Sequence, residues 1–281
     1  MTEQSIIRAM TEEDVAELIG WAKAEGWNPG KADAAPFYAA DRQGFLGHFV
    51  DGALVAGISC VTYGDDFSFI GLYITHPDQR GKGYGLKVWN AAMERLKGRM
   101  IGLDGVPQQQ DNYASMGFAK AYETARWSGL CSFQKDERIY DVLEVDAEQL
   151  DEIAAYDAQA FPASRKAFLK AWLSPPRSAF AITREGKLAG YAVLRECEDG
   201  FKLGPLFADD EESALKLFGA ASNACAGAML HLDVPANQTS FSHILAARGF
   251  ERGFETARMY KGGMPSLDMD RVFAISSLEL G

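Results

Sequence analysis

No run of apolar residues in this sequence approaches the roughly 18 uninterrupted positions that a membrane-spanning helix needs. The opening "MTEQSIIRAMTEED" has neither the basic nor the apolar region of a secretory leader. The expected setting is cytoplasmic, with no membrane partner. Cysteine is scarce and scattered: Cys60, Cys131, Cys197 and Cys225 show no C-x-x-C spacing, which argues against a zinc ribbon or a disulfide framework. His48, His76, His231 and His243 form no metal-binding pattern with neighbouring acids, so no metal is expected. Positive charge is short as well. A net charge of −11 removes the basic surface that non-specific nucleic-acid binding draws on, and no nucleic-acid partner is expected. What is present, 281 residues of which 47% are hydrophobic and 24% charged, suits a globular chain of one large domain or two ordinary ones.

The charge is unevenly spread. Residues 79–99 hold Arg80, Lys82, Lys87, Arg95, Lys97 and Arg99 against Glu94 alone, so this window carries +5 and the remainder −16. An anionic ligand has one obvious destination. For Arg95, Lys97 and Arg99 in "ERLKGR" a solvated helix end suffices, since cations suit the dipole there. Arg80, Lys82 and Lys87 fall at a helix start, where that explanation fails.

The chain also resembles itself. "GFAKAYETARW" from Gly117 and "GFERGFETARM" from Gly249 share Gly, Phe, Glu, Thr, Ala and Arg at a constant offset of 132. Upstream, "LDGVP" (103–107) answers "LDVP" (232–235), and "DGALVAG" (51–57) answers "EGKLAG" (185–190), in the same order. Two copies of one fold follow: residues 1–135, ending near Phe133 with a polar joint at "QKDER", and residues 136–281, whose copy runs from about Tyr140 to Lys261. No low-complexity linker separates them, so they are expected to pack together. The tail "RVFAISSLELG" alternates like one more strand, with nothing to say which sheet it joins.

Within the first copy, "IIRAM" reads as a strand. "TEEDVAELIGWAKA" reads as a helix capped by Thr11 with Asp14 in its first turn, its apolar face at Val15, Leu18 and Ile19. "GFLGHFVDGALVAGISCVTYG" suits a hairpin turning at Asp51-Gly52, and "FSFIGLYI" is the next strand. Val88, Trp89, Ala92, Met93 and Leu96 then mark one face of a helix, "RMIGLD" a strand, and "QQDNYASMG" a short helix before the last strands. The expected fold class is α/β (α+β): two tandem domains, each a mixed twisted sheet flanked by helices.

Between "FIGLYI" and that basic helix lies "HPDQRGKGYG", with glycine at 81, 83 and 85. Glycines permit backbone conformations and close approaches that a Cβ forbids, and N–H groups at a helix start cradle phosphate. Lys82 is followed by Gly83 rather than by a serine or threonine for magnesium, so the P-loop pattern fails. A G-x-G-x-x-G pattern from Gly81 would end on Leu86. Asp104, 19 residues past Gly85, does imitate a ribose-binding acid, which keeps a dinucleotide reading open. The repeat keeps "LDVP" without the glycines, however, which suggests that Leu-Asp serves the fold.

Gln79-Arg80-Gly81-Lys82-Gly83-Tyr84-Gly85 resembles the Q/R-x-x-G-x-G/A signature of the GNAT acyltransferase superfamily, and Tyr113 with Gly117-Phe118 resembles its Y-x-x-x-G-F element. The whole chain is similar to a bacterial tandem type with a catalytic first domain and a divergent second one. The resemblance implies acetyl-CoA as cosubstrate, held in the first copy by Tyr73, Ile74, Gln79, Arg80, Gly81, Lys82, Gly83, Tyr84, Gly85 and Asn112. It implies a splayed strand "GLYI" beside the pantetheine arm, a backbone N–H near Ile74 as oxyanion donor, and Tyr113 as the acid at the sulfur. The reaction would acetylate a primary amine of a small molecule or a protein.

An amine attacking a thioester must also shed a proton, and no carboxylate stands on "FSFIGLYI". Asp65 and Asp66 precede it; Glu25 and Asp33 lie in the irregular stretch "EGWNPGKADAAPFYAAD" beside Trp27, Phe37 and Tyr38. None is singled out as base. Two rivals remain open: a CoA-responsive regulatory module without turnover, and a nucleotide-dependent oxidoreductase. In the second copy the glycines give way to "KLGPLFADDEES", and Leu245 stands where Tyr113 would be. The expectation is one CoA per chain, with the second copy covering the acceptor side of the first or joining subunits in a homodimer.

Overall fold

The computed structural model describes residues 4–132 and 141–281. The polar joint "QKDER", with Phe133 and Tyr140 on either side, lies outside the described residues. The first half runs β1 (Ser5–Ala9), α1 (Glu12–Ala24), α2 (Ala34–Ala40), β2 (Phe45–Val50), β3 (Ala53–Tyr63), β4 (Phe67–Thr75), α3 (Tyr84–Arg95), β5 (Met100–Gly105), α4 (Pro107–Ser115) and β6 (Ala119–Leu130). The second repeats that order as β7 (Val142–Glu144), α5 (Leu150–Asp157), α6 (Lys166–Trp172), β8 (Ser178–Arg184), β9 (Lys187–Glu196), β10 (Phe201–Ala208), α7 (Glu211–Ala224), β11 (Met229–Pro235), α8 (Thr239–Ala247) and β12 (Glu251–Lys261). A short β13 (Val272–Ala274) follows.

Local signals act as the residues dictate. Thr11 and Asp14 form a reciprocal capping box at the start of α1. Asp51 and Gly52 both adopt positive φ, 48° and 86°, as a two-residue hairpin turn requires. The stretch read as irregular instead contains α2, with Pro36 in its first turn, where a missing N–H breaks no helical bond. Two of the three basic residues assigned to a solvated helix end are structural. Arg95 binds Asp41 at 2.7 Å, and Arg99 donates to Ser68 Oγ at 2.7 Å and to the Phe67 carbonyl at 3.0 Å, pinning the turn before β4. Lys97 alone stays exposed, loosely paired with Glu94 at 3.7 Å.

The sheet departs from two separate units. Among the described residues it is one 13-stranded sheet in the order β1-β2-β3-β4-β5-β12-β6-β11-β10-β9-β8-β7, with β13 on β10. The last strand of each half has crossed over, so β12 pairs with β5 and β6 pairs with β11. The two exchanged strands meet antiparallel at the centre, where Thr124 lies opposite Thr256, its own counterpart in the repeat. The repeated residues explain the exchange. Arg258 of β12 binds Asp104 of β5 through two hydrogen bonds of 2.8 and 2.9 Å. Arg126 of β6 binds Asp233 of β11 at 2.8 and 2.9 Å. "LD" and "ETAR" are thus two halves of a bidentate pair that closes only between repeats. The Asp104 side chain is accordingly a buried ion-pair partner. On one face, helices from both halves share a core, with Phe37 stacked on Trp172 at 6.0 Å.

Candidate active site

The strands β4 and β5 run parallel only from Phe67↔Met100 to Ile70↔Leu103 and then part. The parting has a local cause. The β3–β4 register shifts between Ser59↔Gly71 and Gly57↔Ile74, and Leu72 sits at φ 45°, so β4 bulges away from its neighbour. A cavity of about 420 Å³ opens there, walled by Ile70, Tyr73, Leu103 and Tyr113 of the first half and by Phe254 and Glu279 of the second.

A cleft of about 290 Å³ lies at the start of α3, lined by Thr75, Gln79, Arg80, Gly81, Gly83, Tyr84, Gly85 and Leu86. Gly81 and Gly83 have φ of 78° and 80° with open space around them, so backbone conformation requires glycine there. Gly85 is needed for closeness instead: a Cβ would come within 2.6 Å of Thr75 Oγ1 and 3.1 Å of Tyr73 Oη. A helix start offers N–H groups without intrahelical partners and the positive end of the dipole. Lys82 donates to Gln79 Oε1 at 2.8 Å. The Arg80 guanidinium is engaged by the Glu25 carboxylate and by the Thr75 carbonyl at 3.2 Å, so backbone rather than Arg80 dominates this cradle. The residues present therefore fit a pyrophosphate.

Between cradle and cavity is a cleft of about 250 Å³ lined by Glu25, Trp27, Tyr73, Ile74, Thr75 and Arg80. His76 N donates to Val55 O at 3.0 Å, and donors in an antiparallel ladder alternate in direction. The Ile74 N–H therefore points at Gly57 of β3, while that of Thr75 faces the open side. The amide of Ile74 itself is therefore taken up by the β3 ladder.

Tyr113, on α4, is stacked on Trp89 at 5.7 Å and edge-on to Phe118 at 6.1 Å. Burial, and secondarily the nearby Tyr73, pushes its phenol up to about 12, so it stays protonated at neutral pH. Asn112 is exposed at the cavity mouth, its amide donating to Gln109 Oε1 at 3.2 Å.

Of the carboxylates considered from sequence, Glu25 alone lines the cleft between cradle and cavity, and it is committed to an ion pair. Glu25 is held by Arg80, and Asp33 is buried between Arg177 at 3.3 Å and Arg195 at 3.5 Å. Asp65 and Asp66 stay in the turn before β4. Of the aromatics in the α1–α2 region, Trp27 lines the cavity and Phe37 is core packing. Two carboxylates line the cavity: Asp104, which is bound to Arg258, and Glu279, ten residues beyond Met269 in the tail. The only sequence signal of Glu279 is that it is the single acid of "RVFAISSLELG".

A model of the acetyltransferase (GNAT) family matches residues 11–122, and a second acetyltransferase (GNAT) domain model matches residues 153–274. Holothin acyltransferase from Pseudoalteromonas sp. (strain SANK 73390) is 36% identical over 263 residues, spanning 93% of this chain and 89% of that protein. The chain belongs to the GNAT acetyltransferase family. It is an acyltransferase with two GNAT domains in tandem. A candidate acetyltransferase from Pyrococcus horikoshii shares its fold with a TM-score of 0.83 over 99% of this chain and 96% of that one, at 20% identity. A tandem GNAT protein from the clavulanic acid biosynthesis pathway aligns with a TM-score of 0.59 over 94% of this chain and 100% of that one, at 14% identity. No described helix is long and apolar enough to cross a membrane.

Proposed function

We propose that the first half binds acetyl-CoA and transfers the acetyl group to a primary amine, of a small molecule or of a protein, by direct attack. The observation that carries this is the cavity between the parted β4 and β5, joined through shared lining residues to the glycine cradle and closed by Tyr113. Amides of residues 81–85 would hold the pyrophosphate, with Gln79 and Lys82 at its edge. Tyr73 and Ile74 flank the path of the pantetheine arm, and Asn112 stands at its mouth. Attack on the thioester puts negative charge on the carbonyl oxygen, which a β4 amide meets, and expels a thiolate, which the Tyr113 hydroxyl protonates.

The second half takes no CoA in this account. The gap that opens where β10 and β11 part is filled by β13, which pairs Leu206↔Ala274 and Phe207↔Val272 on β10. Asp210 caps α7 by accepting from Ser213 N at 2.8 Å, so a carboxylate already occupies the anion's place. Leu245, at the position of Tyr113, is fully buried. The four cysteines are buried free thiols, in keeping with a reducing cytoplasm. The cavity is walled by both halves of one chain, so a second copy is not needed to complete it.

The test is thiol release from acetyl-CoA in the presence of a panel of primary amines, with acetyl-CoA binding followed by calorimetry. Binding with release from at least one amine is expected. Binding without release would leave a CoA-responsive module, and absence of binding would contradict the reading.

A further inference from the structure

The C-terminal tail crosses from the second half into the site of the first. After β13, Ile275 N donates to Asp233 O at 3.0 Å, and Arg195 Nη1 donates to Ser276 O at 2.8 Å. Arg165 reaches Ser276 Oγ at 2.6 Å and the Gly281 carbonyl at 3.1 Å. The first half grips the same segment: Ser59 Oγ donates to Glu279 O at 3.2 Å and Tyr63 Oη to Leu280 O at 3.0 Å. Contact with β4 is so close that a Cβ on Gly71 would lie 2.2 Å from the Glu279 carbonyl oxygen. Gly71 adjoins Leu72, the residue at the bulge. The tail is thus fixed from both sides against the point where β4 turns away from β5.

What this fixing presents is a carboxylate. Glu279 is buried and lines the cavity opposite Tyr113 and Asn112. The other acids nearby have committed partners: Asp104 with Arg258, Asp233 with Arg126, Asp33 with Arg177 and Arg195, and Glu25 with Arg80. The cations facing Glu279 are engaged too. Arg126 from β6 holds Asp233, Arg195 from β9 holds the tail backbone, and Lys202 from β10 donates to Trp27 O at 3.1 Å. Among the described residues, none donates a hydrogen bond to the Glu279 carboxylate. A buried acid without such a donor, in a cavity with room for a ligand, calls for a donor from the ligand.

We propose that Glu279 receives the proton of the acceptor's ammonium group, so that the C-terminal tail of the second half completes the active site of the first and selects cationic primary amines. This inference rests on the acyltransferase reading. The ammonium gives one proton to the Glu279 carboxylate, and the freed nitrogen lone pair forms the C–N bond at the thioester carbonyl. The C–S bond then breaks, its electron pair leaving on sulfur. The sulfur takes the Tyr113 proton, the new amide nitrogen gives up its remaining excess proton to the phenolate, and Glu279 returns its own to solvent.

The experiment compares the full chain with E279Q and E279D, using acetyl-CoA and an alkylamine that the wild type acetylates. Gln keeps the size of Glu and removes its basicity. E279Q should lose 100-fold or more in kcat, with acetyl-CoA affinity and Tm unchanged, and E279D should recover part of the rate. Equal turnover by wild type and E279Q overturns the role of Glu279 and leaves the acyltransferase reading standing. A loss of rate in E279Q accompanied by an equal loss in E279D and a lowered Tm assigns Glu279 to tail packing and overturns it as well. A wild-type chain that binds acetyl-CoA and acetylates other primary amines but no alkylamine overturns the selection of cationic amines and leaves the acyltransferase reading standing; one that acetylates no primary amine overturns both.

Discussion

The two halves share an element order, a crossed-over last strand and an Asp–Arg pair, yet one groove is open and the other is filled. In the first half the gap between β4 and β5 remains a cavity, and the helix beyond it begins on glycines. In the second the equivalent gap holds β13, and the helix begins on Asp210, which also pairs with Arg184 at 2.6 Å. The comparison separates what both halves need for the fold from what only the first half keeps open. The filled groove also anchors the tail that carries Glu279 across to the open one.

The paired aspartates show how environment divides the halves. Burial raises the Asp104 carboxyl more than its arginine offsets, with carboxylates of Asp233 and Glu279 adding to the rise. Burial also opposes ionisation of Asp233, but Arg126, then Lys202 and Arg195, hold it down to about 2. Burial in turn pushes the Lys202 ammonium down to about 8.

The largest effect expected is on the exchanged strands. Arg258→Ala would leave Asp104 fully buried and unpaired, a loss of about 3–5 kcal/mol, read by denaturant unfolding; a loss below 1 kcal/mol would mean that the pair does not hold β12 in place. Next, Tyr113→Phe should lower kcat by about 100-fold with acetyl-CoA affinity unaltered, whereas the matching change at Leu245 has no reacting atom to affect. Unchanged turnover would remove Tyr113 as acid.

A smaller effect distinguishes the two aspartates by pH. Asp233 has its folded pKa lowered, so its contribution is fully present above the unfolded value near 3.9 and is lost as pH falls toward about 2. That is worth about 2–3 kcal/mol. Acid unfolding should lose this limb in Asp233→Asn and keep it in Asp104→Asn, whose folded pKa is raised. The same limb in both variants would show the asymmetry to be wrong. Gly83→Asp places a charge at the cradle and a side chain at φ 80°, and should weaken acetyl-CoA by about 2 kcal/mol, about 30-fold in Kd. Calorimetry on the folded variant checks it.

Much of this division was legible in the residues, because it is written locally. Glycines 81 and 83 set the backbone of the turn they stand in, and Tyr113 keeps its short spacing to Gly117-Phe118. The strand exchange was not legible, since "LD" and "ETAR" read the same whether Asp104 pairs within its own half or with Arg258. The Glu279 carboxylate at the cavity was hidden for the same reason. Glu279 lies 208 residues from Gly71 in the chain, and no periodicity in "RVFAISSLELG" names the strand it lands against. Arg95 and Arg99 misled in the opposite sense, their charges looking solvated until Asp41 and the turn before β4 came to meet them.

The division of labour between the halves is tested most directly by counting acetyl-CoA sites on the intact chain by calorimetry, in wild type and in Gly83→Asp. One site per chain, weakened about 30-fold by the substitution, is the expected result. Two sites per chain, or one site that Gly83→Asp leaves untouched, would place the cofactor in the second half and contradict the account.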